Sequence, residues 1–239
     1  MPRFFIPEPP AGNTAVIRGQ DAKHIGRSLR MRLGDPLTVC HEGVDYDCKI
    51  LTISDEEVTL EVISEAPSVE PGIKLTLFMA LPKLDKLELV VQKATELGAV
   101  RIVPVLTSRC VSRPSNEQFA KKRERLAKIA FEAAKQSGRG IVPEVSDIIS
   151  LKECAEELSR LDLGLVCYEK GGSSLSEFGI RPGMTIGVLV GSEGGFEQSE
   201  VELCRDGGAK IVWLGQRILR CETAPIAAIS IIMHLSGDM

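Results

Sequence analysis

Two glycine-rich loops carry the residue types that can hold a small ligand and act on it. The first is Val188-Leu-Val-Gly191-Ser192-Glu193-Gly194-Gly195-Phe196. An aliphatic run leads into it, as a buried strand would, and glycines let a backbone close on a ligand. In open α/β sheets ligands settle at the carboxyl ends of strands. The spacing matches neither the dinucleotide fingerprint nor the phosphate-binding P-loop, and Glu193 would repel a phosphate. An acidic glycine loop suits a ligand with hydroxyls or positive charge. S-adenosylmethionine, with a ribose, a sulfonium and an ammonium, is one. A plain strand-to-helix turn would read the same way.

The second loop is Leu214-Gly215-Gln216-Arg217-Ile218-Leu219-Arg220-Cys221-Glu222-Thr223-Ala224. It too follows a strand and opens a helix. Glu222 and Thr223 stand where a helix N-terminus favours acids and caps. Arg217 and Arg220 are either solvated charges or the holders of an RNA phosphate or a flipped base. Cys221 has no histidine near it in sequence and reads as a small buried thiol.

Positive charge is local. Residues 18–32 hold Arg18, Lys23, Arg27, Arg30 and Arg32 against Asp21 alone. Residues 121–139 hold seven basic side chains, Lys121 to Arg139, against Glu124 and Glu132. Such stripes are either solvated helix faces or a focused RNA track on an acidic protein.

The elements that must position these groups follow from periodicity. Up to residue 68, short strand-type runs dominate at Leu37–His41, Asp47–Ile53 and Val58–Ile63, with a helix at Asp21–Met31 capped by Asp21. Residues 1–68 read as a small β-barrel-like domain. Pro and Gly punctuate Ala66–Gly72 as a linker. Residues 73–239 then alternate strands (74–81, 101–106, 163–168, 185–190, 210–214) with helices (84–97, 117–136, 151–160, 199–205, 224–235). That order implies a parallel sheet covered on both faces. With 44% hydrophobic residues and a net charge of -4, the 239-residue chain is neither a disordered tail nor a polycation. No run is long enough to span a membrane, and the apolar start Phe4-Phe5-Ile6 is too short for a signal peptide. Seven cysteines without a C-x-x-C pair predict reduced thiols in a cytoplasm, not disulfides or a zinc ribbon. Three scattered histidines predict no metal site.

Together these segments resemble the RsmE family, the 16S ribosomal RNA uridine N3-methyltransferases of the knotted SPOUT superfamily, nearly end to end. The likeness rests on Arg3-Phe4-Phe5, on His24 through Arg30-Met-Arg-Leu-Gly34-Asp35, and on Lys93-Ala-Thr-Glu96-Leu97-Gly98. It continues through Pro104, Thr107-Ser-Arg109 and Glu132-Ala-Ala-Lys-Gln136-Ser137-Gly138-Arg139, and closes on both glycine loops. Two positions depart from the family pattern: Ser192 stands where proline is common, and Cys221 where threonine is usual.

The resemblance implies an α/β fold, a SPOUT-type trefoil-knotted parallel-sheet domain (73–239) behind a PUA-like RNA-binding β-barrel (1–68). It implies a homodimer acting on uridine 1498 of 16S RNA in the assembled small subunit. S-adenosylmethionine would be held by three turns: Cys167-Tyr168-Glu169, then Val190, Gly191, Glu193, Gly194 and Gly195, then Leu214, Gly215, Ile218, Leu219 and Arg220. RNA would meet Arg3, Arg27, Arg30, Arg32, Lys83, Arg139 and Arg217. Uridine N3 is protonated at neutral pH, so transfer needs a base or a cation beside the carbonyls. Arg220 is assigned the cation and Glu193 the base or a cofactor contact. Two other classes predict different behaviour: a non-catalytic assembly factor binds RNA without needing the loop glycines, and a doubly wound oxidoreductase needs a dinucleotide fingerprint that is absent.

Overall fold

Strand-forming alternation builds the N-terminal unit, Met1–Glu70 with Ala134–Ile141. The computed structural model describes residues 1–83 and 85–239. Five strands, β1 (Arg3–Phe5), β2 (Thr14–Arg18), β3 (Pro36–His41), β4 (Val44–Ile53) and β5 (Glu57–Pro67), form one curled sheet in the order β1-β3-β4-β5-β2. β1 runs parallel to β3 and the remaining pairs are antiparallel. Phe4, Ile17, Leu37, Val39, Ile50 and Leu60 fill its core. The expected helix at 21–31 is cut short. A four-residue α1 (Gln20–Lys23) passes into a wide π-turn at His24–Ser28, where Gly26 and Ser28 are poor helix formers. Asp21 is not the cap: Gly19 holds that position, and Asp21 pairs with Lys135 at 3.2 Å.

Two buried ion pairs tie this unit together. Arg3, its side chain 8% exposed, pairs with Asp45. Arg139, 5% exposed, pairs with Glu70 at 2.6 Å, and Glu70 also accepts the backbone N–H of Gly140 at 2.8 Å and of Ile141 at 3.0 Å. Arg3 Nε donates to the Arg139 carbonyl at 3.1 Å. Gly140 packs so closely that an added Cβ would lie 2.3 Å from the Ser68 Cβ.

The second unit comprises Pro71–Ala133 and Val142–Met239. In chain order it contains β6 (Lys74–Ala80), α2 (Lys86–Glu96), β7 (Arg101–Leu106), α3 (Asn116–Ser137, whose last turn groups with the first unit) and the short β8 (Glu144–Val145) and β9 (Ile149–Ser150). Then come α4 (Leu151–Leu158), β10 (Leu163–Cys167), β11 (Thr185–Val190), α5 (Gln198–Asp206), β12 (Lys210–Val212) and α6 (Thr223–Ser236). The start expected for α2 falls on Leu84, which lies outside the described residues. Every pairing is parallel, in the order β12-β10-β11-β6-β7-β8, with β9 beside β7.

Alternation assigns the two faces. Leu75, Leu77 and Met79 of β6 and Ile186, Val188 and Val190 of β11 join a core with α2, α3 and α6. Phe78 and Leu189 point the other way, into a core with α4 and α5. Period-2 strands buried on both faces need helices on both sides. Gly187 permits the second packing, because a Cβ there would sit 2.6 Å from a Leu161 methyl.

Candidate functional site

The strand order places the carboxyl ends of β10, β11 and β12 side by side. The turns that leave them wall a cavity of about 500 Å3, within the ordinary range for a small-molecule site. Cys167, Tyr168 and Glu169 come from the end of β10. Val190 to Phe196 come from the end of β11, and Trp213 to Cys221 follow β12. Every residue assigned to the cofactor from sequence lines this one cavity, with Arg217. Lys86 at the start of α2 lines it too and was not foreseen.

The glycine loop is a tight turn in which Gly195 N–H donates to the Ser192 carbonyl at 2.9 Å. Gly195 has φ +64, and a Cβ there would stand 3.4 Å from both Glu169 carboxylate oxygens. A Cβ on Gly191 would come 3.2 Å from the Gly195 Cα. The glycines therefore keep a hollow open that side chains would fill. Arg109, from the Thr107-Ser-Arg109 segment, braces the loop: its Nη1 donates to the Gly194 carbonyl at 2.7 Å and its Nε to Glu197 at 2.8 Å. Ser192 buries its hydroxyl without a hydrogen-bond partner among the described residues.

Glu193 is tethered. Its carboxylate accepts the Lys83 backbone N–H at 3.1 Å and lies 3.0 Å from Lys86 Nζ. Burial pushes its carboxyl up, but the hydrogen bonds from Lys86 and from backbone N–H groups outweigh this and hold it below the usual carboxylate value. A carboxylate stabilised as its anion is a poor proton acceptor. The geometry ties Glu193 to the Lys83 backbone and to Lys86 as an anchor of the loop. Glu222 occupies the N-cap position of α6 but caps nothing with its side chain. Its carboxylate accepts the Cys221 thiol at 3.2 Å and lies 3.3 Å from Lys86 Nζ. The Arg220 carbonyl instead accepts the Thr223 and Ala224 N–H groups, each at 2.9 Å. That turn leaves the Arg220 side chain exposed at the cavity. Burial pushes the Cys221 thiol up to about 12, so it is no nucleophile at neutral pH.

The residues assigned to RNA separate into two groups. Arg3 and Arg139 are consumed by buried pairs with Asp45 and Glu70, which corrects their assignment. Their charges are spent inside the N-terminal unit. Arg27 pairs with Asp55 on the surface. Arg30, Arg32, Lys83 and Arg217 are exposed. The 121–139 stripe is largely neutralised, since Arg123 pairs with Asp147, Arg125 with Glu88 and Lys135 with Asp21. Among the described residues no three His, Cys, Asp or Glu side chains gather as metal ligands, and no helix is long and apolar enough to cross a membrane.

A family model described as an RNA methyltransferase domain matches residues 69–233, and one described as an RNA methyltransferase PUA domain matches residues 17–63. Fold and site thus define the class, an RNA methyltransferase carrying a PUA domain. Ribosomal RNA small subunit methyltransferase E of Bacillus subtilis is 35% identical over 100% of both chains. The enzyme of that name from Aquifex aeolicus is 31% identical over 96% of this chain and 98% of its own. The crystal structure of ribosomal RNA small subunit methyltransferase E from Neisseria gonorrhoeae bound to S-adenosyl methionine superposes with a TM-score of 0.87. It is 29% identical, covering 99% of this chain and 98% of that one. The chain belongs to the ribosomal RNA small subunit methyltransferase E family.

Proposed function

We propose that this chain transfers the methyl group of S-adenosylmethionine to N3 of uridine 1498 in 16S ribosomal RNA of the small subunit, as a cytoplasmic homodimer whose C-terminal segment is knotted. One observation carries the reading: three strand ends, a glycine hollow and an exposed arginine converge on one cavity of about 500 Å3.

The residues present fit the cofactor. The hollow at Gly191 and Gly195 admits a ligand where a Cβ would fill the space. Glu169 borders it with a carboxylate suited to a cationic ligand, and the buried Ser192 hydroxyl leaves a polar group of the loop unmet. Cys167 to Glu169, Gly191 to Gly195 and Leu214 to Leu219 are the segments to hold it. When bound, the cofactor supplies a methyl group already activated on a sulfonium.

Arg220 serves the substrate. Losing the N3 proton spreads negative charge over the uracil carbonyl oxygens, and the exposed guanidinium is the cation to stabilise them. Methylation would replace the N3 proton, which passes to solvent water, and the bound cofactor would supply the methyl group and leave as its demethylated thioether. Arg30, Arg32, Lys83 and Arg217 supply phosphate contacts, which position RNA without reading its sequence. An interface between two copies is supported by α6, which is apolar nearly all round with Ile231 exposed, and by Ile218, 85% exposed.

The test is incubation with labelled S-adenosylmethionine and small subunits lacking the modification, followed by nucleoside digestion and primer extension. Label in 3-methyluridine at the stated position is the expected result. Intact subunit binding with no label would overturn the reading in favour of an assembly factor.

A further inference from the structure

Lys86, which lines the cavity, stands between two carboxylates, Glu193 in the same lining and Glu222 next to the lining residue Cys221. Its Nζ lies 3.0 Å from Glu193, on the loop after β11, and 3.3 Å from Glu222, at the entry of α6. The Cys221 sulfur is 3.7 Å away. An ammonium has three donors, and these three neighbours occupy them. One positive charge therefore faces two negative ones, so Lys86 is a clamp with no charge to spare for substrate.

We propose that Lys86 is a positioning residue: its ammonium ties the Glu193 loop to the Glu222 loop and sets the spacing of the two cavity walls. The inference rests on the methyltransferase reading of that cavity for its purpose, though not for its geometry. Both carboxylates lie within 3.3 Å of a single nitrogen, so without it two like charges face each other across the gap. Such a pair separates or takes up a proton. The other charged residues of the same cavity lining are Glu169, Arg217 and Arg220, and Lys83 and Asp85 lie just ahead of α2 in sequence. Glu88, on α2, is engaged by Arg125. Burial works against ionisation of Glu193, but hydrogen bonds led by that from Lys86 hold it below the usual carboxylate value; Glu222 is held below it first by the Cys221 thiol, with Lys86 a smaller cause.

The experiment uses the full chain and three readouts. Hydrogen exchange of the ligand-free protein is followed in peptides covering 191–196 and 214–222, for wild type, Lys86→Arg and Lys86→Met. Lys86→Met is expected to speed exchange in both segments by roughly tenfold while peptides from β6 and β7 keep their protection. Lys86→Arg is expected to recover at least half of the loss. Titration with S-adenosylhomocysteine between pH 5 and 8 is then expected to show a new loss of affinity on the acid side in Lys86→Met alone, as the unclamped pair takes up a proton. Methyl transfer by Lys86→Met falls in step.

Unchanged exchange in either loop of Lys86→Met overturns the clamp, and so does a loss that Lys86→Arg leaves unmended. If Lys86→Met does not fold, Glu222→Gln weakens one arm only. It must loosen 214–222 more than 191–196, and equal loosening overturns the proposal. A wild type that shows the clamp in exchange but transfers no methyl group would sink the methyltransferase reading and leave the clamp standing.

Discussion

Replacing Gly195 with alanine separates two properties of the glycine loop, its backbone conformation and the room it leaves. Gly195 has φ +64, and its missing Cβ would sit 3.4 Å from the Glu169 carboxylate. An L-residue in the left-handed region costs about 1–2 kcal/mol, which in a chain of this size lowers Tm by roughly 2–8 °C. Gly208 gives the control: its φ is +99, with nothing within 4 Å of an added Cβ. Gly208→Ala should therefore show the strain alone, with S-adenosylmethionine affinity unchanged. Gly195→Ala should show a similar fall in Tm together with a rise in Kd of about tenfold or more, about 1.4 kcal/mol or more, because the methyl group fills the hollow. Thermal melts and calorimetric titration of both variants measure the two quantities. Equal Kd values for Gly195→Ala and wild type, with the Tm loss present, would refute the reasoning that this hollow receives the cofactor.

Arg220→Ala should lose about 10²–10³ in kcat, measured by methyl transfer to unmodified subunits at saturating S-adenosylmethionine; near-normal turnover rules Arg220 out as the stabilising cation. The two kinds of arginine should part company. Arg139→Ala leaves Glu70 buried without its partner and should destabilise by about 3–5 kcal/mol, whereas Arg30→Ala should hold its Tm and flatten the salt dependence of RNA binding. Denaturant melts and binding isotherms at several salt concentrations distinguish them, and a stable Arg139→Ala contradicts the assignment. Cys221, with its thiol pushed up to about 12, should resist alkylation at pH 8 in the native protein and react on unfolding; rapid native labelling would contradict its burial. Glu222, held down first by the Cys221 thiol, and Asp162, held down first by the Thr185 N–H, lie below the usual carboxylate value. The unfolded chain therefore binds more protons as acid is added. Their stabilisation is complete above the usual carboxylate range and drains away as pH falls through the folded values. A Tm that stays level from pH 5 to 3 would contradict this.

The sequence made the sheet of the second unit readable because each long strand carries its own signature. Thr185–Val190 and Arg101–Leu106 are bounded as their composition suggests. β1, with three residues, and β8 and β9, with two each, hold no such pattern. β1 exists because β3 offers it a parallel edge from 35 positions away (Arg3 against Thr38). The cavity lining was legible for a similar reason: glycines announce close approach wherever they stand. What failed was partner choice. Arg3 and Arg139 count as positive charge in any tally, and only the fold reveals Asp45 and Glu70 beside them. Lys86 is one lysine at a helix start until the fold brings Cys221, 135 positions on, to its nitrogen. Glu222 looks like a helix cap by position and is drawn off by that same lysine.

The membership of Ala134–Ile141 in the first unit has a consequence for how this protein is made. A ribosome delivers residues 1–70 well before it delivers Arg139. Until then Glu70 has neither its guanidinium nor the two N–H groups of Gly140 and Ile141, and Arg3 lacks the Arg139 carbonyl. The nascent N-terminal sheet thus emerges with Glu70 and Arg3 lacking these partners. It waits for β6, α2, β7 and most of α3 to be synthesised before its last polar partners arrive. The first unit is thus completed only once residue 141 has been made, with much of the second unit already synthesised and the rest, to Met239, still to come.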